Sequence, residues 1–244
     1  MRVTLLGTGN AFFGAGRAHS CALVEDSAGA FLVDCGASAL QAIRRPESIA
    51  EICVTHLHGD HFAGVAFFLL ASREQLGRRV PLHVIGPPGV RAQVRALISA
   101  MYPDADLDDW PFPLAFIEVD PGGRVEFGGR RLTAFKAHHM REPQTALCYR
   151  IETEGRVLAF TGDTGARGPL SQLADGADLL VCECTLAGPS EPDAKHLSVA
   201  DIASLRPSWN ARRVVLTHLS ADARALAPSL PGVVVGEDGA TIDL

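Results

Sequence analysis

The stretch THLHGDH, residues 55–61, constrains the fold of this chain more than any other segment, because it places three histidines and one aspartate within six positions. It overlaps the end of EICVT (51–55), an apolar run typical of a β-strand, and precedes FAGVAFFLLASREQL (62–76), an apolar run typical of a buried helix. Four such side chains would not lie together in a hydrophobic core, because burying polar groups without partners costs free energy. The fold must therefore join a strand to a helix through a turn that gathers polar groups.

The spacing of these polar side chains is typical of a metal site. His56 and His58 are two positions apart and point the same way in extended backbone, and Gly59 permits a sharp turn after them. Asp60 and His61 then enter the helix in its first turn. Neutral imidazole and carboxylate are the ligands that zinc and related first-row metals prefer. The turn can direct these four side chains towards two separate metal ions.

Further candidate ligands stand at the ends of later strand-like runs. His138 and His139 occur in KAHHM, Asp163 in FTGDTG and His218 in LTHLS. With the first cluster they suffice for two metals, three histidines on one, Asp60 and two histidines on the other, and Asp163 bridging. Two metals about 3.5–4 Å apart can share a hydroxide and hold both oxygens of a displacement reaction. Taken alone, a histidine such as His218 is more often a structural, hydrogen-bonded residue.

Short strand-like runs and helices alternate along the chain, with many strands in each half. This pattern predicts one α/β domain over residues 1–244, an αβ/βα sandwich in which two mixed β-sheets pack together and helices cover the outer faces. Residues 198–205 are expected to form a helix with Ser198 as its N-cap and Asp201 at N3. The closing residues, 233–244, are expected to form a hairpin.

Composition argues against several classes of function. The formal net charge of −6 disfavours large nucleic acids and membrane surfaces as partners, since both attract basic patches. The longest apolar run, residues 62–71, is half the length of a membrane span, and the N-terminal segment lacks the apolar region of a signal peptide. Six cysteines without a CxxC pair favour free thiols in a reducing compartment. We therefore expect a cytoplasmic protein.

Several segments together resemble one enzyme family. HLHGDH, with GTG near the start of the chain, GDTG later and LTHLS near its end, resembles the metallo-β-lactamase superfamily. LLGTGNAF, FLVDCGAS, VTHLHGDHFAG and the late HLS and LTHLS segments resemble the branch that contains ribonuclease Z, phosphonate-pathway cyclic phosphodiesterases and class II cyclic-nucleotide phosphodiesterases. The likeness covers nearly the whole chain in the same order. It implies a metal-dependent hydrolase and a homodimer.

The resemblance also implies two divalent metal ions, zinc before manganese or iron, held by seven side chains. One ion would be bound by His56, His58 and His139, the other by Asp60, His61 and His218, and Asp163 would lie between them. The choice of His139 over His138 depends on the register of RLTAFKAHH, in which the ligand follows the last outward residue of the strand.

Two further residues resemble the acid–base pair of the phosphodiesterases. Glu183 lies in the strand-like LLVCECT, and His196 lies in KHLS just before a helix. A carboxylate can fix the tautomer of an imidazole, which then meets the departing or a non-bridging oxygen of the substrate. We therefore expect Asp60, Glu183 and His196 to be catalytic. The alternative is that His196 only caps its helix and Glu183 only ends its strand.

The spacing of the motifs bears on the substrate. In ribonuclease Z the arm that grips transfer RNA lies between the third-motif histidine and the bridging aspartate, whereas here 24 positions separate His139 from Asp163 and two strands use most of them. We therefore expect a phosphodiesterase that acts on a small phosphodiester, a cyclic nucleotide or similar, through a hydroxide held between the metals. The alternatives are a lactonase or thioester hydrolase, or a ribonuclease Z-like nuclease without the arm.

The segment MYPDADLDDWPFPL, residues 101–114, combines prolines, acidic residues and aromatic side chains between two core elements. It could roof the substrate pocket, form a dimer contact, or simply connect the two elements. The sequence alone favours neither a functional role, as a roof or a dimer contact, nor a plain connection.

Overall fold

The computed structural model describes residues 1–244, except for the side chain of Ala39. In chain order its strands are β1 (Arg2–Gly7), β2 (Cys21–Asp26), β3 (Gly29–Val33), β4 (Ile49–Cys53), β5 (Leu82–Gly86), β6 (Leu114–Glu118), β7 (Arg124–Phe127), β8 (Arg130–Lys136), β9 (Leu147–Thr153), β10 (Arg156–Phe160), β11 (Leu179–Glu183), β12 (Val214–Thr217), β13 (Val234–Val235) and β14 (Thr241–Asp243). The α-helices are α1 (Gly59–Glu74), α2 (Val90–Met101), α3 (Leu170–Ala174), α4 (Val199–Leu205) and α5 (Ala221–Leu226).

The strands form two sheets of seven, each of them mixed. The first has the order β14-β1-β2-β3-β4-β5-β6, antiparallel up to β3 and parallel from β3 to β6. The second has the order β13-β12-β11-β10-β9-β8-β7, antiparallel from β7 to β10 and parallel from β10 to β13. Parallel strands end at the same edge of their sheet, which is where sites assemble in layered folds.

The core lies in three apolar layers that follow the alternation of side chains along the strands. Phe31 of β3 packs between the two sheets with Leu132 and Tyr149 of the second sheet. Its neighbour Leu32 points to the opposite face and packs under α1 and α2. A third cluster, which includes Ile202 of α4, lies between the second sheet and its helices. The predicted αβ/βα sandwich with helices on the outer faces is confirmed.

The helices expected over residues 62–76 and 198–205 are present. The apolar run 62–76 forms most of α1, which begins at Gly59 and ends at Glu74. At the start of α4, Ser198 Oγ accepts a hydrogen bond from the backbone amide of Asp201 at 3.0 Å, and the Asp201 carboxylate accepts one from the amide of Ser198 at 2.8 Å. None of the helices found in the described residues combines the length and the apolar character that a membrane crossing requires.

The expected C-terminal hairpin is wrong. β13 pairs in parallel with β12 of the second sheet, whereas β14 pairs antiparallel with β1 of the first. The polar link between them crosses from one sheet to the other and is held by Asp238, whose carboxylate accepts hydrogen bonds from the amides of Thr8 at 2.9 Å and Ala18 at 2.8 Å. A turn-like sequence between two apolar runs indicates that the chain changes direction. It does not show that the two runs pair with each other, and here each pairs with a strand far away in sequence.

Two glycines allow α1 to lie directly against the loop that follows β3. A Cβ atom on Gly36 would lie 2.3 Å from the carbonyl oxygen of Asp60, and one on Gly64 would lie 2.3 Å from the carbonyl oxygen of Gly36. Such separations are far below any real Cβ contact, so both positions require glycine. The close approach places the first turn of α1, and with it Asp60 and His61, at the end of the first sheet.

Candidate metal centre

Four loops that follow strands meet at one edge of the sandwich. The loop after β4 supplies His56 and His58, and the first turn of α1 supplies Asp60 and His61. The loops after β8, β10 and β12 supply His139, Asp163 and His218. All of these side chains except His58 are buried. The structure thus brings together all seven residues that the resemblance implies as ligands.

The first group of candidate ligands contains three imidazoles and one carboxylate. His58 Nδ1 lies 3.2 Å from His56 Nε2 and 3.0 Å from His139 Nε2. Oδ2 of Asp163 lies 3.6 Å from His56 Nε2 and 3.7 Å from His139 Nε2. Four donor atoms therefore surround one point.

The second group shares Asp163 through its other oxygen. Oδ1 of Asp163 lies 3.2 Å from His61 Nε2 and 3.4 Å from His218 Nε2. Oδ2 of Asp60 lies 3.1 Å from His218 Nε2 and 3.5 Å from His61 Nε2. Because the two oxygens of Asp163 face different groups, this carboxylate has the placement of a bridge.

These separations fit the donor set of a small divalent ion. Zinc bound by nitrogen and oxygen at about 2.0–2.1 Å in a tetrahedron has ligand atoms about 3.3–3.4 Å apart. His61 Nε2 and Asp163 Oδ1 are also buried without a hydrogen-bond partner, although they face each other. Unpaired buried polar atoms are rare because they lose their hydration without compensation. An ion among these atoms would satisfy both, so the residues present fit the metals that the family implies.

Three of the imidazoles are oriented by hydrogen bonds from their second ring nitrogen to an acceptor outside the cluster. The pairs are His61 Nδ1 with Asp34 Oδ2 at 2.7 Å, His139 Nδ1 with the Lys195 carbonyl at 2.9 Å, and His218 Nδ1 with Thr185 Oγ1 at 2.8 Å. A proton held on Nδ1 leaves the lone pair of Nε2 directed at the cluster. The fold therefore presets the tautomer that metal binding requires.

The environment also sets the protonation of the ligands. Burial lowers the pKa of His56 well below its ordinary value, and burial likewise lowers the pKa of His139. Burial alone would raise the pKa of Asp60, but the interactions with His218 and the charge of His61 together outweigh it and lower this pKa to about 2. Neutral imidazoles and ionised carboxylates are the forms that bind metal.

His61 differs from the other imidazoles. Burial lowers its pKa, but the carboxylates of Asp163 and Asp34 on either side outweigh burial and raise the pKa well above its ordinary value. Without metal, the charges of the two carboxylates therefore favour the protonated form of His61. An ion that takes Nε2 must displace that proton, so metal uptake is coupled to proton release.

The adjacent histidines of KAHHM have different environments. His139 points into the cluster, whereas His138 Nε2 lies 3.0 Å from the exposed Asp193 carboxylate and 3.1 Å from Lys195 Nζ. The geometry therefore supports the register that favours His139, and its role as a ligand is testable.

Replacing His139 with Ala should lower metal affinity by more than the roughly 10- to 100-fold that follows loss of a residue that only orients a ligand. His138→Ala is the matched control, because it removes the same group one position away and should leave metal content unchanged. Metal content after dialysis, measured by plasma mass spectrometry, checks both. Equal metal content in the two variants would contradict the assignment of His139.

Glu183 and His196 form a pair beside the cluster. His196 Nδ1 lies 2.9 Å from Glu183 Oε1, which leaves Nε2 without a hydrogen bond among the described residues. Burial lowers the pKa of His196, but the hydrogen bond to Glu183 and its charge outweigh burial and raise it to about 9. The imidazole ring stacks at 5.5 Å on that of His218. A protonated imidazole is thus held next to the candidate ligands.

Glu183 is committed to hydrogen bonds rather than to a further metal. Besides His196, its oxygens accept from the Thr164 amide at 2.7 Å, the Thr185 hydroxyl at 2.7 Å and the Thr185 amide at 3.2 Å. A carboxylate offers about four acceptor positions, and all are used. Although Glu183, His196 and His218 lie close enough to bind an ion, Glu183 has the contacts of an orienting group.

The cluster opens to solvent through a cleft of about 400 Å³, which we call the metal-site cleft. It is lined by five candidate ligands, by Thr185 and His196, and by Asn10, Ala11 and Phe12 of the loop between β1 and β2. Its volume is within the ordinary range of small-ligand pockets.

The segment 101–114 does not line the metal-site cleft. Its side chains Leu107, Trp110 and Phe112 pack against the cluster under α1 and α2, and the Trp110 indole donates to the Leu107 carbonyl at 2.9 Å. Arg73 of α1 lies over the Trp110 ring at 5.0 Å. The segment is therefore a packed connection and not a roof over the site.

Two residues that orient the candidate ligands, Asp34 and Thr185, are not among those predicted as site residues from the sequence. Asp34, directly after β3, accepts from Thr55 and His61 and adopts a left-handed backbone with φ of 60°. Thr185, just after β11, links Glu183 to His218. The only signal in the sequence was the position of each next to the end of a strand.

Comparison with known proteins agrees with this geometry. The family model described as "Beta-lactamase superfamily domain" matches residues 30–219. Ribonuclease Z from Mycobacterium bovis is 34% identical over 195 residues, which cover 74% of this chain and 69% of that protein. The family-model match therefore includes all seven candidate ligands, the last of which, His218, lies one position inside its end.

Solved structures show the same fold. Human tRNase Z, short form, superposes with a TM-score of 0.78 at 24% identity and covers 100% of this chain and 99% of that one. The metallo-beta-lactamase fold protein YhfI from Bacillus subtilis superposes with a TM-score of 0.78 at 22% identity and covers 99% of each chain.

Proposed function

Since this chain belongs to the metallo-β-lactamase superfamily and is a metal-dependent hydrolase of its ribonuclease Z-like branch, we propose that it is a phosphodiesterase that acts on a small phosphodiester. The observation that carries this proposal is the pair of Glu183 and His196 at 2.9 Å beside two groups of metal-ligand atoms that share Asp163. In this pair, His196 would donate a proton to the oxygen of the leaving group, next to the metals.

The chemistry divides between the metals and the chain. When bound, divalent ions stabilise negative charge on phosphoryl oxygens and activate water. His196 would hold its proton on Nε2, facing the metal-site cleft, and transfer it to the leaving alkoxide. Glu183 would keep the imidazole in that tautomer and stabilise its positive charge. Asp60 would serve as ligand in the second group and orient His218, to which it lies at 3.1 Å.

The size and charge of the site support a small substrate. The metal-site cleft measures about 400 Å³, and its described lining residues include neither lysine nor arginine. A long polyanion is bound mainly through such cations. Between His139 and Asp163 the chain folds as the antiparallel pair of β9 and β10, which pack into the second sheet rather than project from it.

A ribonuclease Z-like nuclease is the second candidate, since ribonuclease Z from Mycobacterium bovis is similar over most of this chain. A lactonase or thioester hydrolase is the third, because ester hydrolysis uses nearly the same ligands. An ester hydrolase does not need the Glu183–His196 pair, which the structure builds with four hydrogen bonds to Glu183.

A substrate panel on protein of measured metal content tests the proposal. We expect hydrolysis of bis(p-nitrophenyl) phosphate and of a cyclic nucleotide, and no turnover by chelator-treated protein. Faster hydrolysis of a lactone or a glutathione thioester would assign the site to ester chemistry. Cleavage of the trailer from a precursor transfer RNA at a higher kcat/KM would assign it to RNA processing.

Further parts of the proposal concern the organisation of the protein. We propose that residues 1–244 form one domain, because both sheets supply ligands to the same site. We also propose two zinc ions per chain, a cytoplasmic location and a homodimer. The nitrogen-rich donor set supports zinc over magnesium or calcium, which prefer oxygen ligands.

A further inference from the structure

Two adjacent phenylalanines lie in the loop between β1 and β2, at the rim of the metal-site cleft. Phe12 is 88% exposed and Phe13 is 55% exposed. Single apolar side chains on a surface are ordinary, but Phe12 also lines the cleft that contains the candidate ligands. An exposed aromatic ring at that place is available to a bound substrate.

The loop that carries Phe12 is held in place by hydrogen bonds and packing. Asn10 Oδ1 accepts from the amides of Phe12 at 3.1 Å and Gly14 at 3.0 Å. The Phe13 ring stacks on the buried His19 ring at 4.3 Å. A Cβ atom on Gly14 would lie 2.5 Å from the carbonyl oxygen of Leu219, so the loop also packs closely against the residue that follows His218.

This packing assigns the two rings different roles. Phe13 adopts a left-handed backbone with φ of 54° and turns its ring onto His19, which anchors the loop. Phe12, one position earlier, is left with its ring in solvent beside the cleft. Because the backbone that carries Phe12 is already held in place, ligand binding has to order only the side chain, which costs less conformational entropy than ordering the whole loop.

The chemistry of the cleft indicates what Phe12 would contact. The metals would take the phosphate, and the remaining contacts on the β1–β2 side come from an amide, a methyl group and the Phe12 ring. Since the described lining residues contain no lysine or arginine, this side favours an uncharged, flat group over a second phosphate. Nucleobases stack on aromatic side chains whatever their sequence.

We propose that Phe12 stacks on a planar heteroaromatic group of the substrate, a nucleobase, and thereby favours nucleotides over alkyl or plain sugar phosphodiesters. This inference rests on the proposed phosphodiesterase function and names the residue that determines its substrate class.

The test is equilibrium binding of two probes that differ only in the base, adenosine monophosphate and ribose monophosphate, to the metal-loaded full chain by calorimetry. The wild-type protein should bind the nucleotide more tightly, by about 5- to 150-fold, the range that loss of one base stack produces. Phe12→Ala and Phe12→Leu should remove this difference, and Phe12→Trp should retain it. Phe67→Ala, which removes a partly exposed ring on α1 outside the cleft, should leave it unchanged.

Equal affinity of the wild-type protein for the two probes would overturn the proposal. So would an unchanged difference in Phe12→Ala, or a difference that Phe12→Leu retains, since leucine keeps apolar contact without a ring. Hydrolysis of bis(p-nitrophenyl) phosphate by the wild-type protein is measured in parallel. Activity there without base discrimination would refute the role of Phe12 alone, whereas no activity with any phosphodiester would refute the proposed function.

Discussion

Replacing Asp163 with alanine is expected to abolish hydrolysis and to lower metal affinity at both groups of ligands. The two oxygens of this carboxylate face different groups, at 3.2 Å from His61 Nε2 and 3.6 Å from His56 Nε2. Loss of a residue that only orients a ligand already lowers metal affinity about 10- to 100-fold, so loss of a shared ligand should exceed that range. Metal content and activity of the dialysed protein are the measurements.

The controls for Asp163 separate metal loss from misfolding. Asp163→Asn keeps the shape of the side chain without its charge and should lose metal only in part. Asp193→Ala removes a carboxylate from the surface and should leave metal content unchanged. Circular dichroism of each variant shows whether the fold is retained. Two-metal occupancy in folded Asp163→Ala protein would refute the bridging role.

Replacing His196 with alanine is expected to lower kcat about 10²- to 10⁴-fold for a substrate with an alkyl leaving group, the usual contribution of a general acid. The loss should be much smaller for a p-nitrophenyl leaving group, which departs without a proton. Metal content should stay near that of the wild-type protein, because His196 belongs to neither group that shares Asp163. The measurement is the loss of kcat for the alkyl leaving group divided by the loss for the p-nitrophenyl leaving group.

Glu183→Gln should reproduce part of the His196 effect, since the amide keeps a hydrogen bond to the imidazole but not the charge that stabilises it. His138→Ala removes a histidine outside the cleft and serves as the control. If His196→Ala slows both leaving groups equally, the histidine acts in binding and not as the acid. Full activity of that variant would exclude either role.

Much of the candidate site could be predicted from the sequence because its candidate ligands occur in short local motifs. Four of them fall in THLHGDH, and the strand and helix around that segment are evident from apolar patterning alone. The later candidate ligands, His139, Asp163 and His218, each stand just after a strand, and strands that run in the same direction bring such positions to one edge.

Features that depend on distant contacts could not be predicted. The closing segment resembles a hairpin locally, yet β13 and β14 join different sheets, because each finds its partner far away in sequence. Asp34 and Thr185 are ordinary polar residues until the fold places them behind His61 and His218. The exposure of Phe12 likewise depends on the packing of its loop against Leu219, which no local pattern reveals.

The candidate ligands are divided between the two sheets, so metal binding would affect the stability and the degradation of the protein in the cell. His61 and His218, which the second group brings together, are 157 positions apart (218 − 61), so an ion held by that group would join the first and last thirds of the chain. A ligand that binds only the native state shifts the unfolding equilibrium. Chains made during metal starvation would open more often and be degraded faster, so abundance as well as turnover would follow the metal supply.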